Sequence, residues 1–168
     1  MSSSAGIIII GDEILSGRTK DTNINWIANE LNEIGINLKE ARVIEDDKKT
    51  IINTVLEFSN KFTYVFTSGG IGPTHDDITT ESIAAAFKVD LEKNKIAMNL
   101  LKKHYEKSNI DFNEARQKMA IIPKGASLIE NPVSVAPGFN IKNVYVFAGV
   151  PKIMQSMFHS ISNKLKGG

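Results

Sequence analysis

Hydrophobic positions along the chain alternate between two periodicities. Ala5–Ile10 is a short, continuously apolar, β-branched run ending at Gly11, the pattern of a strand buried on both faces. Ile24, Ile27, Ala28, Leu31 and Ile34 then recur at helical spacing and Gly35 stops them. Ile36–Ile44 reads as a second strand, and Ile51, Ile52, Val55, Leu56 and Ser59 outline a second helix. Phe62–Thr67 reads as a third strand and Thr79–Phe87 as a helix with Ile83 and Phe87 inward. Three β–α units in series predict a parallel sheet with right-handed crossovers and helices on both faces. The second half is less regular. Glu92–Ser108 and Asn113–Met119 read as helices, and Ser127–Ile129 and Val144–Phe147 as short strands. Asn131-Pro132 and Pro137-Gly138 read as turns. A last helix starts at Pro151 and turns Met154, Met157, Phe158 and Ile161 inward.

In such a sheet, ligands bind beyond the carboxyl ends of the strands. Three loops fall there: Gly11–Gly17, Glu45–Asp47 and Ser68–Asp77. In the third, Gly69, Gly70 and Gly72 allow close backbone approach ahead of a helix N-terminus, which suits a phosphate or carboxylate. A plain strand-to-helix turn is the alternative. Asp76 and Asp77 follow, and paired acids beside an anion cradle suit a bridging divalent cation. Capping of the next helix is the competing role for Asp77. Asp46 and Asp47 can add a ligand or cap the helix after Lys48; Asp12 and Glu13 are ligand-facing or simply an exposed turn. Thr22 is assigned to capping and Asn23 to the ligand. Gly149-Val150-Pro151 forms either a second anion site or an ordinary junction, and Ser134–Gly138 a turn able to cover a ligand.

Composition narrows the field. At 168 residues, 42% hydrophobic and 23% charged, the chain suits one domain, residues 1–168, with a sizeable core. A net charge of +1 argues against nucleic acid as a partner, and the lysines at 93, 95, 102, 103 and 107 read as a solvated face. The absence of cysteine excludes disulfides, thiolate-bound zinc, iron–sulfur clusters and thiol catalysis, and is compatible with a cytoplasmic setting. The three histidines lack metal-ligand spacing, and no Gly-x-Ser-x-Gly elbow exists. The apolar runs, Ile7–Ile10 among them, are far below the ~20 residues of a membrane helix. Met1–Ser4 reads as a tail or an expression remnant, and Lys164–Gly168 either as the true end or as a cut inside a longer protein.

The stretch Gly69-Gly70-Ile71-Gly72-Pro73-Thr74-His75-Asp76-Asp77-Ile78-Thr79 resembles the signature of the MoaB/Mog molybdopterin-binding domain superfamily. Gly11–Gly17, Asp21-Thr22-Asn23, Ala136-Pro137-Gly138 and Gly149-Val150-Pro151 extend the resemblance over nearly the whole chain. Within the superfamily it most resembles the N-terminal domain of competence/damage-inducible CinA proteins and the molybdopterin-binding-like half of FAD synthases. The resemblance implies a three-layer α/β/α sandwich with a mostly parallel sheet and one antiparallel strand. It implies that Gly69, Gly70 and Gly72 hold a ligand phosphate and that Asp46 and Asp77 act beside it with magnesium. Joined with the reading of the loops, this gives phosphate or ligand binding by Gly69, Gly70, Gly72, Pro73, Thr74, Glu13, Asn23 and Gly149, catalysis by Asp46 and Asp77, and metal binding by Asp77, Asp76 and Asp46. It implies magnesium or another divalent metal, with potassium as an accessory ion, and a homodimer or trimer. The activity implied is metal-assisted hydrolysis of a nucleotide pyrophosphate of the ADP-ribose or FAD type. The alternatives are molybdopterin adenylylation or carriage in cofactor biosynthesis, and a non-catalytic ligand-binding module. The chain departs from the family pattern at Ala148, where a proline is usual, and these residues are expected to be separate from the deamidase and synthase domains of the longer relatives.

Overall fold

A computed structural model describes residues 3–167. β1 (Ser4–Ile10), β2 (Asn37–Ile44), β3 (Tyr64–Ser68), β6 (Ser127–Ile129), β7 (Gly138–Ile141) and β8 (Val144–Phe147) form one sheet, in the order β2-β1-β3-β8-β7-β6. β2, β1, β3 and β8 run parallel, and β7 pairs antiparallel with both β8 and β6. One strand is thus reversed in an otherwise parallel sheet.

The isoleucine run of β1 divides by parity, as a pleated strand must. Ile7 and Ile9 pack with Ile27 and Leu31 of α2 (Asn23–Glu33) and with Met154, Met157 and Phe158 of α7 (Pro151–Ile161). Ile8 and Ile10 pack with Ile51, Val55 and Phe58 of α3 (Lys48–Lys61) and Ile83 of α4 (Thr79–Ala86). Two helical layers therefore enclose the sheet. A third, smaller cluster lies off the sheet, where Ala97 and Leu101 of α5 (Lys95–Ser108) meet Ala120.

Several elements differ from the sequence reading. Glu92 is not helical: β4 (Leu91–Lys93) pairs antiparallel with β5 (Ile121–Pro123), and α5 begins only after Asn94, whose Oδ1 accepts from the Ala97 amide. Both strands are three residues long, and β4 is wholly exposed, so neither leaves a hydrophobic period. Gly138 opens β7 instead of closing a turn. A Cβ there would lie 2.3 Å from the Val146 carbonyl oxygen, so only glycine lets these strands approach. α1 (Asp12–Leu15) and α6 (Glu114–Gln117) are single turns. Ser4 belongs to β1 and Ser3 donates to the Lys166 carbonyl, so these two residues are part of the fold; Met1 and Ser2 lie outside the described residues. Among the described residues, no helix is long and apolar enough to cross a membrane.

Candidate functional site

The parallel strands bring their carboxyl ends to one edge. There the Gly11 amide donates to the Ile44 carbonyl (3.0 Å) and the Gly69 amide to the Phe147 carbonyl (3.1 Å). The turn after β3 is built for glycine. Gly69 and Gly70 have φ of 108° and 78°. A Cβ on Gly69 would lie 2.2 Å from the Ile10 carbonyl oxygen, and one on Gly70 2.0 Å from Thr79 Oγ1. The Gly70 carbonyl accepts from the Thr79 amide (3.0 Å), closing the loop onto α4. Because its amide is engaged by β8, Gly69 shapes the cradle without donating to a ligand. The amides of Gly70, Ile71 and Gly72 have no acceptor among the described residues and are the donors such a cradle offers.

Gly149 sits opposite, and a Cβ there would be 3.2 Å from Gly69 Cα. It leads directly into α7, whose first residues Pro151 and Ile153 line the same cleft, so the positive end of that helix faces the cradle. Ala148 donates its amide to Met157 Sδ (3.4 Å), a contact that the proline of the family pattern cannot make. The cleft between the two turns measures about 500 Å³, and Glu13, Pro73 and Asp77 also line it.

The acids separate into distinct roles. Asp77 does not cap α4. Its Oδ2 accepts from the Thr74 amide (2.9 Å) and hydroxyl (2.8 Å), closing a turn in which Lys118 Nζ donates to the Asp77 carbonyl (2.6 Å) and to that of Thr74. Thr74 itself is exposed and braces Asp77 outside the cleft lining. Asp76 is directed into solvent beside His75 (3.4 Å), its side chain 80% exposed, and does not share the cleft. Asp46 and Asp12 exchange reciprocal bonds: the Asp12 amide to Asp46 Oδ2 (3.2 Å) and the Asp46 amide to Asp12 Oδ1 (3.0 Å). Burial raises the Asp46 pKa, and the charges of Asp12, Glu13 and Asp77 raise it further against the opposing amide bond. Glu13 lines the cleft and Asp46 does not. Asp47 caps α3 through the Thr50 amide (3.0 Å), and the Thr50 hydroxyl lowers its pKa.

Asn23 is not ligand-facing. It is 3% exposed, and its Nδ2 donates to Ser68 Oγ (2.9 Å) and to the Gly149 carbonyl (3.0 Å), tying α2 to the ends of β3 and β8. Its Oδ1 is buried without a partner among the described residues, as are Thr67 Oγ1 and Thr79 Oγ1. Nor does the Thr22 side chain cap α2; Asp21 Oδ2 accepts from the Ile24 amide instead (3.0 Å).

The sequence reading missed the far wall. Met119 and Asn131 line the cleft together with Ser134 and Ala136 of the turn expected to cover a ligand. Asn131 organises that turn, accepting from the amides of Val133 and Ser134 and donating to Ser134 Oγ and the Ala136 carbonyl. Val135 has φ of 77°, and the Ala136 amide donates to the Ser134 carbonyl (3.0 Å), a strained γ-turn on a β-branched residue. The Asn-Pro pair before it is the one sequence signal for this wall. Lys118 has none, being one of 20 basic residues.

A glycine-lined cleft at the carboxyl edge of a largely parallel sheet, between two helix-leading turns, gives this α/β domain a site whose shape and dipoles suit an anion. The family described as "Probable molybdopterin binding domain" matches residues 6–166, and the chain belongs to it. A protein of Sulfurisphaera tokodaii is 41% identical over 165 residues, covering 95% of this chain and 63% of that one. One from Saccharolobus islandicus is 39% identical over 166 residues, covering 96% and 63%. The chain thus spans 63% of the length of these curated relatives. Among solved structures, CinA of Thermoplasma acidophilum, described as of unknown function, superposes with a TM-score of 0.89 at 35% identity, covering 97% of this chain and 98% of that one. The molybdopterin biosynthesis enzyme MoaB of Thermus thermophilus gives 0.63 at 14% identity, over 97% and 91%, a likeness of fold alone. The three-layer MoaB/Mog-like architecture expected from the sequence is therefore the observed one.

Proposed function

We propose that this domain binds a nucleotide pyrophosphate, of the ADP-ribose or FAD type, and hydrolyses it between the two phosphates. The observation that carries this reading is the pairing of two anion-favouring ends across one cleft. The free amides of Gly70, Ile71 and Gly72 stand on one side and the start of α7 beyond Gly149 on the other, with Asp77 and Glu13 also lining the cleft. Two phosphates joined by one oxygen match two such ends.

A divalent cation fits the donor set in a particular way. Among the described residues, no three acidic or histidine groups converge as a ready-made metal cage. Among the described residues Asp77 Oδ1 has no partner, and burial and then its acidic neighbours oppose ionisation of the Asp46 carboxyl, a repulsion that a cation would relieve. Magnesium is commonly held by one or two carboxylates plus substrate phosphates, so Asp77, whose charge is felt by Asp46, suits an ion that arrives with its ligand. When bound, such an ion neutralises phosphoryl charge and acidifies its water. The chain's own groups do the rest. The cradle amides hold non-bridging phosphate oxygens, and the Asp77 turn, braced by Thr74 and Lys118, keeps its carboxylate at their side. Glu13 accepts the proton of the attacking water, because it alone of the candidate bases lines the cleft while Asp47 is engaged as a cap.

The test is a product analysis of ADP-ribose, FAD, NAD and ATP with magnesium and cobalt, with and without potassium. The expected result is release of AMP, with the matching second phosphate monoester, from at least one of ADP-ribose, FAD and NAD. Tight binding without turnover under every metal would overturn the hydrolytic reading and favour a ligand-binding module.

A further inference from the structure

The turn formed by residues 131–136 gives Asn131, Ser134 and Ala136 to the lining of the cleft. It spends nearly all of its protons on itself. The Val133 and Ser134 amides donate to Asn131 Oδ1 (3.1 and 3.0 Å), the Val135 amide to the Asn131 carbonyl (2.9 Å) and the Ala136 amide to the Ser134 carbonyl (3.0 Å). Pro132 has no amide proton. Asn131, 6% exposed, gives away both Nδ2 hydrogens, to Ser134 Oγ (2.7 Å) and to the Ala136 carbonyl (2.8 Å). From the amides of residues 132–136 and these polar side chains, one proton is left over, that of the Ser134 hydroxyl.

We infer that Ser134 donates this proton to a phosphoryl oxygen of the ligand held in the cleft. The inference rests on the anion-cleft reading given above and adds a residue that the proposed mechanism does not use. Direction is the first argument. Asn131 Oδ1 faces two amides, which fixes Nδ2 against Ser134 Oγ. A hydroxyl that accepts from an N–H turns its own hydrogen elsewhere. Nothing among the described residues accepts that hydrogen, Glu13 and Asp77 of the same cleft included.

Chemistry is the second argument. Amides take both lone pairs of Asn131 Oδ1, and Met119 and Ala136 bring no strong acceptor to the cleft. A sugar hydroxyl brought to Ser134 would carry a proton that these neighbours cannot receive. A phosphoryl oxygen only accepts, so it leaves nothing unpaired. Among the described residues, no lysine, arginine or histidine lines the cleft, so a bond from a neutral hydroxyl to a charged oxygen counts for more there. Strain is the third argument. Val135 is β-branched and sits at φ of 77°, a conformation that persists only where its surroundings over-determine it and that clusters at ligand clamps. The four bonds of the Asn131 side chain supply that constraint, and they hold Ser134 in the cleft lining.

The test removes the proton and keeps the turn. Ser134→Ala deletes the hydroxyl, and Ser134→Cys keeps its shape with a weak donor, so one variant suffices if the other fails to fold. Val135→Gly is the control, because glycine tolerates the positive φ and leaves the hydroxyl in place. Titration calorimetry at saturating magnesium uses two probes that cannot be cleaved, methylenediphosphonate and the α,β-methylene analogue of ADP-ribose. Both should bind the wild type. Either folded Ser134 variant should bind both at least about tenfold more weakly, while Val135→Gly stays within about threefold. Wild-type affinity in the Ser134 variants overturns the inference alone. Loss confined to the ADP-ribose analogue also overturns it, because the acceptor then lies off the phosphates. An equal loss in Val135→Gly overturns it too, by showing that order in the turn matters and the proton does not. If methylenediphosphonate fails to bind the wild type, the anion-cleft reading falls and takes the inference with it.

Discussion

Replacing Asp77 by asparagine separates charge from architecture. Asp77 Oδ2 accepts two hydrogen bonds from Thr74, at 2.9 and 2.8 Å. Asparagine keeps an oxygen for both donors, although bonds to a carboxylate are roughly twice as strong as neutral ones. The local loss is thus about 1 kcal/mol, a fall of about 2–4 °C in Tm for a chain of this size. The catalytic loss is larger. Removing one charge-stabilising group from such a site costs ~3 kcal/mol, about a hundredfold in rate. Alanine is the poorer choice, because it removes both bonds and loosens the turn. Thr74→Val supplies the control, since it deletes the hydroxyl bond and keeps the charge. We expect Asp77→Asn to lose at least about a hundredfold in kcat at saturating magnesium, and Thr74→Val only a few-fold. Steady-state hydrolysis of the dinucleotide found by the screen, beside thermal melts, decides it. Near-wild-type turnover in Asp77→Asn refutes the metal assignment; equal losses in the two variants show that turn geometry, not charge, is what matters.

Four further outcomes follow from the geometry. Gly70→Ala should cost at least about 2 kcal/mol by urea denaturation, from the positive φ and the collision with Thr79 Oγ1, and should abolish pyrophosphate binding; a neutral effect would mean the loop is not held as described. Asn23→Ala removes two buried bonds and should lower stability by about 2–3 kcal/mol; a change below about 0.5 kcal/mol by the same method would deny the clamp. The Asp46 carboxyl holds its proton more tightly in the folded chain than in the unfolded one, so its favourable contribution is present below the usual carboxylate range and is lost as pH rises through the raised pKa. In chelator-treated protein, Asp46→Asn should therefore be more stable than wild type at neutral pH, with the gap closing towards pH ~4; a gap that widens on acidification contradicts this. Light scattering should find a dimer or trimer, with Ile96 (64% exposed) and Leu100 (44% exposed), which flank an open apolar groove, as candidate contacts; a monomer at high micromolar concentration counts against assembly.

The parts of this fold that were legible in the sequence bury apolar groups with a clear period. β1 was visible because both faces of the sheet are covered, and α7 because Met154, Met157, Phe158 and Ile161 repeat on one stripe. The cradle was visible because only glycine tolerates its backbone. What stayed hidden depends on partners distant in sequence. β7 begins at a glycine whose purpose is the Val146 carbonyl across the ladder. Asn23 is singular enough to notice, but nothing local tells a ligand contact from a bridge to Ser68 and Gly149. The loss of Gly69 as a donor likewise depends on Phe147. Lys118 acts through two carbonyls, which carry no residue-type signal at all.

The clamp at Asn23 also has a kinetic meaning. It joins residues 126 positions apart in the chain, and the cradle is closed on one side by β8. Contacts of such sequence separation form late, because a long loop must close before they repay its entropy. A chain that has formed only β1, α2 and β2 thus has much of one helical layer but no binding site. Ligand can stabilise only molecules in which the last strand has inserted, so it draws the population past partly closed sheets. Binding by this domain is accordingly a readout of completed folding, and refolding followed by ligand binding should lag behind refolding followed by helix content.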